Sequence, residues 1–304
     1  MMARGQNEEK CKTWLSMMDM EKTTIRRINC KRITAAVKKL FIEANTDLGA
    51  DVIASLQASL AKEESATGRQ VLEEIIENAD IACANKIPIC QDTGLAVVFV
   101  ELGQDVHVVG GDLRLAIEEG VRQAYAEGFL RKSVCDPLSR NNTGDNTPAV
   151  IHIDVVAGNR LKIIAMPKGG GSENMSAAQM LTPATGGEGI KKVVVEKVMQ
   201  AGANPCPPVI VGVGIGGSLE QACILAKKAL LRPLGEGNKI DERLAQIEKE
   251  LFCSINKLGI GPAGLGGRVT ALAVNIEMMP CHIASLPVAV NIQCHVARHK
   301  EITI

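Results

Sequence analysis

The chain has 304 residues, enough to bury roughly three quarters of the surface its unfolded form would expose. Residues of the AVILMFWYC set make up 46% and DEKR residues 22%, a balance that excludes a disordered, collagen-like or low-complexity chain. Lys plus Arg equals Asp plus Glu at 34 each, so there is no basic excess for a phosphate backbone or an anionic membrane, and nucleic acid is not expected as a partner. Aromatics are only 2%, which disfavours base-stacking platforms and points to a small polar ligand. The ten cysteines include no local CxxC pair and no hydrophobic signal region precedes them, so a reducing cytoplasm is expected. No run approaches the ~18 uninterrupted apolar residues of a membrane helix, so no membrane association is expected.

In chain order, residues 1–28 are polar and Met-rich, and we expect them to be a poorly ordered extension, with the folded domain at 29–304. From Ile33 to Glu64, apolar residues at helical spacing (Val37, Leu40, Phe41, Ala44, then Val52, Ile53, Leu56, Leu60) predict two helices broken near Gly49. Thr67 with Gln70 suggests a capping box, opening a helix that ends near Asn85. Beyond Pro88 the pattern turns to short β-rich runs: Leu95–Leu102, Ala149–Val156, Leu161–Met166, Val209–Val213, Val269–Ile276 and Val288–Ile292. Helical patterns intervene, the clearest over Asp241–Leu258. No repeat period and no linker is evident. The expected fold is α+β, a helical N-terminal layer packed on a mixed α/β body with short strands and glycine-rich loops.

Gly212-Val213-Gly214-Ile215-Gly216-Gly217 matches GxGxxG between a predicted strand and the helical run Leu219–Leu231. A dinucleotide fingerprint also needs an acidic residue ending a second strand about 20 residues on, and Arg232-Pro233-Leu234-Gly235 stands there instead. A nucleotide-binding oxidoreductase is therefore the distant alternative, and tight glycine turns the plainer reading. Lys168-Gly169-Gly170-Gly171-Ser172 lacks the order of a phosphate loop, and reads either as a turn or as backbone that lets an anion approach closely.

Cys90, Cys206 and Cys294 each lie at a strand edge or turn, whereas Cys83, Cys223 and Cys253 fall in helical patterns, where a thiol acts as a small hydrophobe. The three are separated by 116 and 88 residues, so a shared site would have to be assembled by tertiary structure. By themselves they are inert thiols or ligands. His282 sits in a loop between two strands, and Arg131 and Asn142-Thr143-Gly144-Asp145-Asn146 read as a surface cation and an Asx turn.

Taken in order, Ile89-Cys90-Gln91-Asp92-Thr93-Gly94, Leu130-Arg131-Lys132-Ser133, Asn142-Thr143-Gly144 through Pro148-Ala149, Lys168 to Asn174, Cys206-Pro207-Pro208, Gly259 to Gly267 and His282 to Cys294 resemble the class I, iron-sulfur-dependent fumarase and tartrate dehydratase family. The resemblance is to its α subunit, or N-terminal catalytic domain, and runs from about Ile33 to the end. It implies a 4Fe-4S cluster on Cys90, Cys206 and Cys294, with one iron left open as a Lewis acid. It further implies reversible hydration of a double bond beside a carboxylate, with Asp92 and His282 catalytic, and Gln91, Asp92, Arg131, Gly170 and Asn174 binding a small dicarboxylate. Fused family members continue into a second domain, so a separate β subunit is expected here, in an α2β2-type oligomer whose cluster is oxygen-sensitive. The Lys168–Asn174 and Leu130–Ser133 segments resemble the fumarase version, which makes fumarate the expected substrate and L-tartrate the alternative.

Overall fold

The computed structural model describes residues 25–304, so residues 1–24 of the expected N-terminal extension lie outside the described part. The first half runs β1 (Arg26–Asn29), α1 (Cys30–Thr46), α2 (Ala50–Lys62), α3 (Ala66–Asn85), β2 (Leu95–Gly103), β3 (Val106–Val109), α4 (Leu113–Glu127), β4 (Val150–Val156) and β5 (Leu161–Lys168). The second runs α5 (Gly170–Glu173), β6 (Ala177–Leu181), α6 (Gly186–Ala201), β7 (Val209–Gly216), α7 (Leu219–Ala229), α8 (Glu242–Asn256), β8 (Ala271–Met279), β9 (Leu286–Gln293) and β10 (Lys300–Thr303). This is the expected α+β architecture, and all six β-rich runs are strands. The four strands not foreseen, β1, β3, β6 and β10, have four or five residues each, too few for a period to register.

Helix α1 forms as its spacing dictates: Ile33, Val37, Leu40, Phe41 and Ala44 are buried on one face, and the Asn29 side chain accepts from the Lys31 amide at 2.9 Å. The cap of α3 differs from the expected Thr67. Ser65 caps it, its hydroxyl accepting from the Gly68 amide at 3.2 Å. The chain has already been turned there by buried Glu63, whose carboxylate takes the amides of Glu64 and Ser65 at 2.9 Å and reaches across to those of Arg268 and Val269.

The sequence carries no repeat, but the strands do. In the first four-stranded sheet β2 pairs parallel with β4 and antiparallel with β5; in the second, β7 pairs parallel with β8 and antiparallel with β9. Each set takes its fourth strand from beyond its own end: β6 follows β5 yet pairs with β9, and β10 follows β9 yet pairs with β5. The two sheets are thereby interlocked by an exchanged strand.

Both central strands are buried on both faces. Ala96, Val98 and Val100 of β2 face one core with α1 and α4, while Val97 and Phe99 join a second core with Leu56, Leu72 and Ile210. On β7, Val209, Val211, Val213 and Ile215 pack in a third core with residues of α6 and α8. Alternation leaves Gly212 and Gly214 for the other face, where α7 lies so close that an added Cβ would stand 2.1 Å from the Ala226 carbonyl oxygen and 1.9 Å from that of Ala222, respectively. The GxGxxG match is explained by helix-on-strand packing. Accordingly, Gly214→Ala should lower stability by about 2–3 kcal/mol in urea denaturation, because backbone must move to admit the methyl, whereas Gly237→Ala, with no atom within 4 Å of its added Cβ, should change it little.

Candidate active site

The register sets which loops can meet. Leu95 at the start of β2 pairs with Lys168 at the end of β5, and Ile210 at the start of β7 pairs with Gln293 at the end of β9. Segments 90–94 and 204–208 therefore enter their sheets where segments 168–174 and 294–299 leave theirs. Hydrogen bonds join the four: His295 Nδ1 lies 3.0 Å from the Cys206 carbonyl oxygen, the Gly170 amide donates to Asp92 Oδ2 at 2.7 Å, and Arg298 Nη2 donates to the Asp92 carbonyl.

This brings Cys90, Cys206 and Cys294 into one neighbourhood, all three as free thiols. The Asp92 amide donates to Cys90 Sγ at 3.4 Å, and Gln293 Nε2 approaches Cys294 Sγ at 3.8 Å. Cys206 holds φ at 55°, a left-handed conformation unusual for a side-chain-bearing residue and of a kind that concentrates at functional sites. Burial pushes the Cys294 thiol up, opposed by the charges of Arg298 and Lys168; burial and the neighbouring Cys90 both push Cys206 up. Among the described residues, no three His, Cys, Asp or Glu side chains group closely enough to hold a single metal ion.

Asp92 is the best-anchored polar group of the site. Its Oδ1 accepts from the Gly94 amide at 3.0 Å while Oδ2 takes that of Gly170. The Gly170 amide is thus engaged with Asp92, and a Cβ at Gly169 would stand 3.2 Å from Asp92 Oδ2, so the glycines let the loop close over the carboxylate. Gln91 and the Asn174 side chain are exposed, Asn174 ending α5 with its amide on the Gly170 carbonyl. The Thr93 hydroxyl donates to the Arg131 carbonyl at 2.8 Å, which places Arg131, exposed, beside the Asp92 loop. Asn146 does more than form a turn: fully buried, it accepts from the Ser133 amide at 2.7 Å and donates to the Gly94 carbonyl at 3.3 Å, tying the Arg131 segment to the same strand.

His282 is not brought to this place. It lies in the turn before β9, its Nδ1 accepting from the Ala284 amide at 3.1 Å, whereas Cys294 follows the far end of that strand, roughly 25 Å away at the usual strand rise. A network of His282 with Asp92 would need a second chain to supply the histidine.

Two features escaped the sequence reading. Lys168, 1% exposed, donates to Ser172 Oγ at 2.8 Å and pairs with Glu173 at 3.2 Å; Glu173 also meets Lys227 of α7 and, at 3.1 Å, Asn291 of β9. Arg298 is 3% exposed, and its Nε and Nη1 have no hydrogen-bond partner. A buried guanidinium in that state calls for an anionic partner. The three thiols on the loops joined here make a donor set of the kind a thiolate-bound iron-sulfur cluster takes, and such a cluster would bring an anionic surface to this place.

Burial lowers Lys168 from the ordinary 10.5 to about 8. Between those values the unfolded chain binds the proton that the folded chain has released, so this residue makes stability rise with pH from about 8 to 10.5. Comparing wild type with Lys168→Met by denaturant titration at several pH values should show that rise flattened in the variant.

A family model described as fumarate hydratase (Fumerase) matches residues 34–303. A Methanocaldococcus jannaschii chain, provisionally named L(+)-tartrate dehydratase subunit alpha, is 46% identical over 271 residues, covering 86% of this chain and 94% of its own length. The L(+)-tartrate dehydratase subunit alpha of Escherichia coli is 31% identical over 277 residues, covering 90% of this chain and 91% of its own length.

Proposed function

The chain belongs to the fumarate hydratase (Fumerase) family, and on that footing we propose that it is the α subunit of an iron-sulfur hydro-lyase that hydrates fumarate to malate together with a separate β subunit. The observation that carries this reading is the convergence of three loops, each with a free thiol, around a buried guanidinium with two unpartnered nitrogens. Cys90, Cys206 and Cys294 would hold a 4Fe-4S cluster, which when bound supplies an iron with no protein ligand as a Lewis acid toward substrate carboxylate and hydroxyl oxygens. The chain's own residues do the rest. Arg131 presents a planar fork to a substrate carboxylate, and Gln91 and Asn174 add amide hydrogen bonds. Asp92, with both carboxylate oxygens already oriented by backbone donors, belongs to the proton and orientation network around the substrate, handing on the proton that a base exchanges with the carbon beside the carboxylate. Negative charge builds on that carboxylate as the carbon is deprotonated, and the buried cations Lys168 and Arg298 preorganise positive potential nearby.

The β subunit supplies the further Arg and Lys contacts and the Thr base that fused family members carry in their second domain, in an α2β2-type assembly. Relatives named as subunit alpha support such a partner. No helix among the described residues is long and apolar enough to cross a membrane; the cysteine usage, with no local CxxC pair, supports the cytoplasm as its place. One observation favours a second reading, L-tartrate as substrate: the relatives above bear that name. Co-purified with its β subunit under anaerobic conditions, the chain should hydrate fumarate at least tenfold faster than it dehydrates L(+)-tartrate; the reverse ratio would assign tartrate. Cys206→Ser should lose iron and acid-labile sulfide together with activity, and full activity in that variant would sink the cluster reading. Because an open iron is vulnerable to oxygen, activity should fall in air and return in part with ferrous iron and thiol.

A further inference from the structure

The segment between β9 and β10 holds the second feature the sequence reading missed. Arg298 stands four residues past Cys294, 3% exposed, with Nη2 on the Asp92 carbonyl and with Nε and Nη1 buried and unpartnered. Asp92 in turn donates its amide to Cys90 Sγ, so the guanidinium lies between the backbone that carries one cysteine and the loop that carries another. An arginine held this way in the chain alone is unfavourable, since two of its three nitrogens have left water and met nothing. An anion with hydrogen-bond acceptors beside those nitrogens would relieve that cost.

We infer that Arg298 is a positioning residue for the iron-sulfur cluster, donating from its two unpartnered nitrogens to the cluster's sulfur and offsetting its negative charge while its third nitrogen fixes the Asp92 loop to the same group. The inference rests on the cluster reading above. It couples the metal centre to the proton-carrying loop through one side chain: retention of iron, the electronic poise of the cluster and the position of Asp92 become linked.

The test compares wild type, Arg298→Met and Arg298→Lys, each reconstituted anaerobically. Melting of the apo chains shows whether the variants fold, iron loss to a chelator is followed by visible absorbance, and the cluster's reduction potential is measured by a redox titration read by electron paramagnetic resonance. In Arg298→Met the potential should fall, because the more negative reduced cluster loses a neighbouring cation, and iron should be lost several-fold faster. Its apo melting temperature should be kept or raised, as an uncompensated buried charge has been removed. Arg298→Lys keeps the charge and drops the fork, so its potential should stay near wild type while iron is still lost faster; this variant decides the matter if Arg298→Met does not fold. Potentials and iron-loss rates matching wild type in both variants would overturn the inference, leaving Arg298 a strap on the Asp92 backbone. It is overturned equally if the variants differ from wild type only once a dicarboxylate is added, for then substrate is the anion Arg298 meets. Absence of iron and sulfide from reconstituted wild type overturns the cluster reading itself, and with it this role.

Discussion

Everything at the site depends on the path the chain takes from β9 to β10. After Gln293 it leaves the second sheet, and by Lys300 it is paired with Ala165 in the first. The six residues between, 294–299, must bridge the two sheets. On the way they set Cys294 at the end of β9, His295 against the Cys206 carbonyl and Arg298 against that of Asp92. The reciprocal crossing, from β5 to β6, carries the glycine loop over the Asp92 carboxylate. A strand exchange made for packing is thus also what gathers residues that lie far apart in sequence.

The two crossings are not chemically alike. Past β9 the exit carries a cysteine and a buried arginine; past β5 it carries Lys168, fully buried, and three glycines. Entries to the paired strands each carry a cysteine, Cys90 before β2 and Cys206 before β7. Three of four equivalent strand ends therefore present thiols, and the fourth presents bare backbone with a buried ammonium behind it. Such an arrangement leaves one side approachable by a small anion, with positive potential on that side and no aromatic surface required.

How much of this is legible in the sequence depends on the length of the signal. Strands β2, β5, β7 and β9 have eight or nine residues of apolar character, and helix α1 has a clear buried stripe, so both are readable from period alone. The exchanged strands β6 and β10 are short, and pairing partners leave no local trace, which hides the crossing that builds the site. Gly212 and Gly214 resemble a nucleotide fingerprint because a strand that must admit a helix backbone needs the same glycines as one that must admit a phosphate. Arg298 has no period, motif or partner to announce it; its meaning comes from burial and from N–H groups that nothing satisfies. Conversely Cys90, Asp92 and Arg131 stand out through loop resemblance, and the fold brings them close, whereas His282, marked in the same way, is held at the opposite end of β9.

Three cysteines from three strand ends holding one multi-iron group, with the fourth corner left to substrate, is the central claim. Mössbauer spectroscopy of the anaerobically reconstituted chain tests it most directly, because each iron reports its own ligands. The expected spectrum has three irons in sulfur-rich surroundings that resemble one another and a fourth that differs and shifts when fumarate or malate is added. Four equivalent irons, a single mononuclear iron, or no bound iron at all would contradict it.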